Sequence, residues 1–161
     1  MNRFYGTAFI IVALVSLFGC KPDPVFPAEP ALSFKEYQQP QSSDTLQVVF
    51  NFTDGDGDIG VSVTDTTKNM LLTVYHRDPA TGAWGPLMYQ VNSTSWDSLQ
   101  YKYRIPHLTA GQSGLEGEIY LTINRQLLRL NEDTVQFNAV LIDNSRHKSP
   151  YVRTPEVVLL P

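Results

Sequence analysis

The most concentrated chemistry in this sequence lies in three aspartates at alternate positions, Asp54, Asp56 and Asp58, within Phe50-Asn51-Phe52-Thr53-Asp54-Gly55-Asp56-Gly57-Asp58-Ile59-Gly60. Three carboxylates on one short turn repel each other unless a cation neutralises them. Ca²⁺ accepts about six to eight oxygen ligands, carboxylates and backbone carbonyls among them. Gly55, Gly57 and Gly60 let the chain curl around such an ion. The stretch is therefore read as a cation-binding loop, Ca²⁺ by preference. The plainer reading of the same residues is a polar connection between strands, because Asp-Gly is a common turn dipeptide.

The aspartate spacing matches positions 1, 3 and 5 of an EF-hand loop. Counting on, Gly60 falls where that loop offers a carbonyl, and Asp65 falls at its twelfth position. The parallel ends there. Ile59 occupies the place of the required glycine, and the flanks read as strands rather than helices.

Other candidate groups are weaker. His76, His107 and His147 lie far apart, with no paired zinc-ligand spacing, and read as solvated loop or edge residues. Glu116 and Glu118 share a strand face about 7 Å apart, whereas glycosidases set their carboxylates across a cleft. No nucleophile elbow, phosphate-binding loop or dinucleotide fingerprint is present. The sequence therefore reads as non-enzymatic. Trp84 and Trp96 lie beside Gly and Ser in segments read as edge or loop. Their rings fit either of two roles: covering one end of the domain, which is the default, or stacking on sugar faces.

The elements that position these groups are strands. Thr45 to Thr53 alternates cleanly, with Leu46, Val48, Phe50 and Phe52 on one face. Ala31 to Gln38, Asn69 to Arg77, Leu99 to Ile105, Leu115 to Ile123, Val135 to Ile142 and Tyr151 to Leu160 are also read as strands. Ala83 to Val91 pairs back on its predecessor, and Pro86 argues for an edge there. Asn92 to Ser98 reads as loop, and Arg125 to Asn131 as a short helical turn. About seven to nine short strands with turn signals between them specify an all-β, antiparallel sandwich of immunoglobulin-like type. A domain over 31–161 is large enough to bury a core without staples.

The N-terminus reads as a processing signal. Arg3 precedes an apolar run from Ala8 to Phe18, too short to span a bilayer. Leu17-Phe18-Gly19-Cys20 resembles a bacterial lipobox, which makes 1–19 a signal peptide and Cys20 the lipidated residue. Cys20 is the single cysteine of the 161 residues, so no internal disulfide forms. Cleavage removes Arg3 and takes the net charge from −4 to −5. An acidic chain with no basic cluster is a poor nucleic-acid binder. Residues 20–30 carry four prolines after Cys20 and read as an extended tether.

With these residues placed, the chain resembles a group of Bacteroidetes-type lipoproteins with an immunoglobulin-like sandwich. The resemblance rests on the lipobox, on Phe50 to Gly60, and on Leu141-Ile142-Asp143-Asn144-Ser145-Arg146-His147-Lys148-Ser149-Pro150 followed by Thr154-Pro155-Glu156. It implies no known activity. It implies a cell-envelope location, in the outer membrane, with the leaflet left open. In such a sandwich the B–C and F–G loops share one end, so Asp143 or Asn144 is a candidate to complete the cation shell. The expected function is a membrane-anchored, non-catalytic binding or structural module with a Ca²⁺-stabilised loop and a protein or glycan partner. The alternative is a carbohydrate-binding accessory of a glycan-uptake system that uses Trp84 or Trp96.

Overall fold

The computed structural model describes residues 25–39, 44–108, 114–128 and 134–159. The segment read as a signal peptide, 1–19, and Cys20 lie outside the described residues. The described chain forms eleven strands: β1 (Ala31–Gln38), β2 (Thr45–Asp54), β3 (Met70–Arg77), β4 (Trp84–Pro86), β5 (Met88–Asn92), β6 (Ser95–Ser98), β7 (Gln100–Tyr103), β8 (Leu115–Asn124), β9 (Thr134–Leu141), β10 (Val152–Arg153) and β11 (Val157–Val158). A 3₁₀ turn, Arg125–Leu128, follows β8 where a short helical turn is expected. Among the described residues, no helix is long and apolar enough to cross a membrane.

Two antiparallel sheets face each other. One has the order β1-β2-β8; the other is built on β10-β9-β3-β4, with β11 also on β9 and β7 also on β3. Lettered along the chain, these sheets are A-B-E and G-F-C, the arrangement of an immunoglobulin-like sandwich. Register follows the apolar faces, because a slip of one residue would turn every buried side chain to water. Thus Phe50 lies opposite Ile119 and Val48 opposite Leu121. Across the core, Met70 lies opposite Leu141 and Val74 opposite Phe137. All of these residues belong to one buried cluster.

A bulge in β1 changes which of its residues face inward. Phe34 pairs with Phe50, but Glu36 pairs with Val49, so Lys35 is the extra residue. A bulge reverses the alternation beyond it. Phe34 and Tyr37 therefore point the same way, with ring centroids 4.8 Å apart. Tyr37 also reaches β9, 6.3 Å from the Phe137 ring. Its hydroxyl donates to Thr154 Oγ1 at 2.5 Å or to the Pro155 carbonyl at 2.7 Å. Burial pushes that phenol up to about 12. Thr154 Oγ1 in turn accepts the Phe137 N–H at 2.9 Å. These bonds close one edge of the sandwich.

The opposite edge departs from expectation. Residues 92–98 are not a plain loop. β5 and β6 pair as a hairpin of their own, with Gln90 opposite Trp96. Its turn is built by Asn92, whose Oδ1 accepts the Thr94 and Ser95 N–H groups at 3.0 and 2.9 Å. The hairpin interrupts a single partner strand of β3: β4 pairs with Tyr75 to Arg77, and β7 with Met70 to Thr73. Leu87 and Leu99 close its base, with Leu99 N donating to Leu87 O at 2.6 Å. Pro86 ends β4 at the edge, where a missing N–H does no harm. This inserted pair, together with the split of the last strand into β10 and β11, raises the strand count above that expected.

Candidate metal centre

Asp54 is the last residue of β2, paired with Leu115, and fully buried. The loop that follows is anchored at both ends. Gly55 N donates to the Pro27 carbonyl at 2.7 Å, and Ile59 is fully buried in the core. Ile59 thus fills the place where an EF-hand needs glycine because here the residue is a core plug. Asp58 N donates to Asp54 Oδ2 at 2.8 Å and folds the loop back on itself. Gly57, at φ 71°, makes that reversal. The preceding chain is packed as well. Pro30 is buried and the Pro27 carbonyl is bonded to the aspartate loop, both within the segment read as a tether.

The fold gathers the three aspartates. One ligand oxygen from each of Asp54, Asp56 and Asp58 lies within 4.8 Å of the others. Two of the carboxylates are held on one side only. Asp54 uses Oδ2 for the Asp58 N–H, while its Oδ1 is buried without a partner. Asp58 uses Oδ2 to accept the Ser145 N–H at 2.9 Å and the Ser145 hydroxyl at 2.7 Å, while its Oδ1 is likewise buried without a partner. A buried unsatisfied polar atom costs about 1–3 kcal/mol, more when charged. A hard cation among these oxygens would offset that cost, and the bonded oxygens would hold the ligands in orientation.

The electrostatics agree. Burial, and then the neighbouring Asp56 carboxylate, push Asp54 up to about 6 from an ordinary value near 3.8. The Asp58 N–H partly opposes this. A folded value above the unfolded one means that the cation-free folded state binds more protons. The ionised Asp54 therefore costs no stability below about pH 3.8, and its full cost is present above about pH 6. Added positive charge removes that cost.

The β2–β3 and β9–β10 loops meet at this end. Besides the Ser145 bonds, Asn144 N donates to the Asp58 carbonyl at 3.3 Å. The second loop supports the first without adding a carboxylate to the gathered group. Asp143 is buried, but its Oδ1 accepts the His147 N–H at 2.7 Å and its Oδ2 faces His147 Nδ1 at 2.8 Å. Both oxygens serve the turn of their own loop. The bond to Asp143, reinforced by its charge, raises His147 above the usual imidazole value. His147 is therefore not the plain solvated histidine expected. Sequence reading passed over this pair, and its one signal was the i, i+4 spacing inside a polar loop.

Asp65 also lies outside the gathered group. It is exposed and accepts the Thr67 N–H at 2.8 Å in a local turn. Gly60 adopts φ +99°, and a Cβ there would fall 2.2 Å from the Pro106 carbonyl oxygen. Its conformation lets Val61 bridge to Pro106, with Val61 N bonded to Ile105 O at 3.0 Å.

Trp84 and Trp96 lie on different strands, β4 and β6. Trp84 is half-buried on β4, opposite Arg77. Trp96 is 61% exposed on the β5–β6 hairpin, so it does not cover the end of the sandwich. Glu118 points outward and pairs with Lys35 at 2.6 Å, away from any cleft.

No protein-family model matches this chain, and no curated protein does. Two crystal structures of wild-type OgpA from Akkermansia muciniphila are distantly similar. In one, 12% of aligned residues are identical, the TM-score is 0.40, and the match covers 89% of this chain and 32% of that one. In the other, at 12% identity, the TM-score is 0.39 and the match covers 86% and 32%. The chain thus spans about a third of that protein's length. A likeness of that size defines neither a fold family nor an activity.

Proposed function

We propose that this protein is a membrane-anchored bacterial lipoprotein of the Bacteroidetes type, held in the outer membrane through Cys20. Its sandwich is a non-catalytic binding or structural module, and a divalent cation, Ca²⁺ by preference, rigidifies one end. The observation that carries the cation reading is Asp54 Oδ1. It is buried and without a partner, on a carboxylate gathered with two others. The bonds from the β9–β10 loop to Asp58 make that end one unit, so an ion there would order both loops.

The test is thermal unfolding of the mature chain in excess Ca²⁺ and in EDTA. A ligand that binds only the folded state adds about 2.7 kcal/mol at a hundredfold excess over its Kd, several degrees for a domain of this size. The shift is expected to vanish in Asp56→Ala. It is also expected to shrink as pH falls below about 6, where protons compete for Asp54. Equal midpoints with and without Ca²⁺ at neutral pH would make the loop a plain turn.

One observation favours a second reading, a carbohydrate-binding accessory. Trp96 presents an exposed ring on the β5–β6 hairpin, opposite Gln90 in its register. Ring stacking plus an amide is a common way to hold a sugar. Glycan-array binding lost in Trp96→Ala but kept in Trp84→Ala is the expected signature. Binding that survives both substitutions removes this reading.

A further inference from the structure

A second feature at the same end of the sandwich points to a ligand of different charge. A cavity of about 160 Å³ opens between the start of β3 and the β9–β10 loop, with Asn69, Lys68, Arg146, Asp65 and Asp143 in its wall. Asn69 is only 3% exposed. Its Oδ1 accepts the Ile105 N–H at 2.7 Å, which fixes the orientation of the amide. The remaining atom, Nδ2, is therefore a donor, and it is buried without a partner. Backbone bonds on both sides brace the residue: Asn69 N donates to Tyr103 O at 3.0 Å, and Asn69 O accepts Ile142 N at 2.8 Å. The side chain cannot swing out to water without breaking the link to Ile105.

Most of the carboxylate oxygens in the wall of this cavity are already engaged. Both Asp143 oxygens are taken by His147, and Asp65 Oδ1 is taken by Thr67 N–H. Lys68 and Arg146 add two cationic groups at the rim. Arg146 is held there at some conformational cost, since it is a non-glycine residue at positive φ, 73°. An acceptor-rich, anionic group suits donors of these three kinds, and a planar carboxylate suits the guanidinium fork. We infer that the Asn69 cavity binds a small oxyanion, a carboxylate carried by the ligand, with Asn69 Nδ2 at its floor and Lys68 and Arg146 at its mouth. This gives the binding module a ligand chemistry, and it does not require a cation at Asp54.

The test is an NMR titration of the mature chain with sodium acetate, against sodium chloride at matched ionic strength. The reporter is the side-chain amide of Asn69. Its resonances are expected to move saturably with acetate and not with chloride. Half-saturation is expected to rise about tenfold in Lys68→Ala and in Arg146→Gly, the equivalent of one charge-assisted hydrogen bond. Both variants spare the fold: Lys68 is exposed, and glycine relieves the positive φ at 146. Movement that tracks chloride equally, or unchanged half-saturation in both variants, overturns the assignment. Running the titration in Ca²⁺ and in EDTA keeps the two sites apart. If the cation reading fails, the unfolding midpoint ignores Ca²⁺ while Asn69 still answers to acetate.

Discussion

Gly60→Ala is expected to destabilise the protein by roughly 2–5 kcal/mol and to abolish any response to Ca²⁺. Two costs combine. A residue with a Cβ in the left-handed region loses about 1–2 kcal/mol, and Gly60 sits at φ +99°. The new methyl group also has nowhere to go: it would lie 2.2 Å from the Pro106 carbonyl oxygen and 2.6 Å from His107 Cα. Both neighbours are backbone, so relief means moving the chain, at about 1–3 kcal/mol for overpacking. That movement breaks the Val61 bridge to Pro106 and frees the C-terminal side of the aspartate loop. Gly82 is the control. It has φ +69°, but its nearest neighbour is the flexible end of Arg77 at 3.7 Å. Gly82→Ala therefore carries the conformational cost alone. Urea unfolding of the two variants separates the terms. Equal losses would mean that the close approach at Gly60 is unimportant.

Phe137→Ala is expected to cost about 3–5 kcal/mol, the usual range for a fully buried phenylalanine. Phe137 is completely buried in the middle of β9, opposite Val74, and its ring meets Tyr37 from the other sheet. Removing it opens a cavity between the two layers. Its backbone N–H is bonded to Thr154 Oγ1 within the Tyr37 network, so the surroundings have little freedom to collapse. Domains are stable by about 5–15 kcal/mol in total, so the loss is a large share. Guanidinium unfolding is expected to show a much lower midpoint with unchanged slope. A loss below about 1 kcal/mol would mean that the two sheets do not share this core.

Period-two alternation alone determined most of the layers. Leu46, Val48, Phe50 and Phe52 could bury one face only in a sheet, and their partners Ile119, Leu121 and Ile123 carry the same signature. The aspartate cluster was equally legible, because three carboxylates at alternate positions among glycines meet once the loop curls. Local composition misled where pairing was not local. Asn92 to Ser98 looks like loop because it lacks an apolar face, yet a turn built by Asn92 and a free partner strand suffice for a hairpin. The β1 bulge left no mark, since Phe34 and Tyr37 in a regular strand would face opposite ways.

The site divides along the same line. Sequence by itself put Asp54, Asp56 and Asp58 on one short glycine-rich loop, which a local reversal at Gly57 is enough to close. Only the tertiary structure decided what surrounds them. It put Ile59 in the core and sealed Gly55 with Pro27. It aimed Ser145 at Asp58 from a loop distant in sequence. It turned Asp143 to His147, so that the carboxylate expected to join the cluster serves its own loop. It also left the Asn69 amide half-satisfied beside Arg146. Burial and orientation come from packing between segments far apart in the chain, and no spacing rule within one segment encodes them.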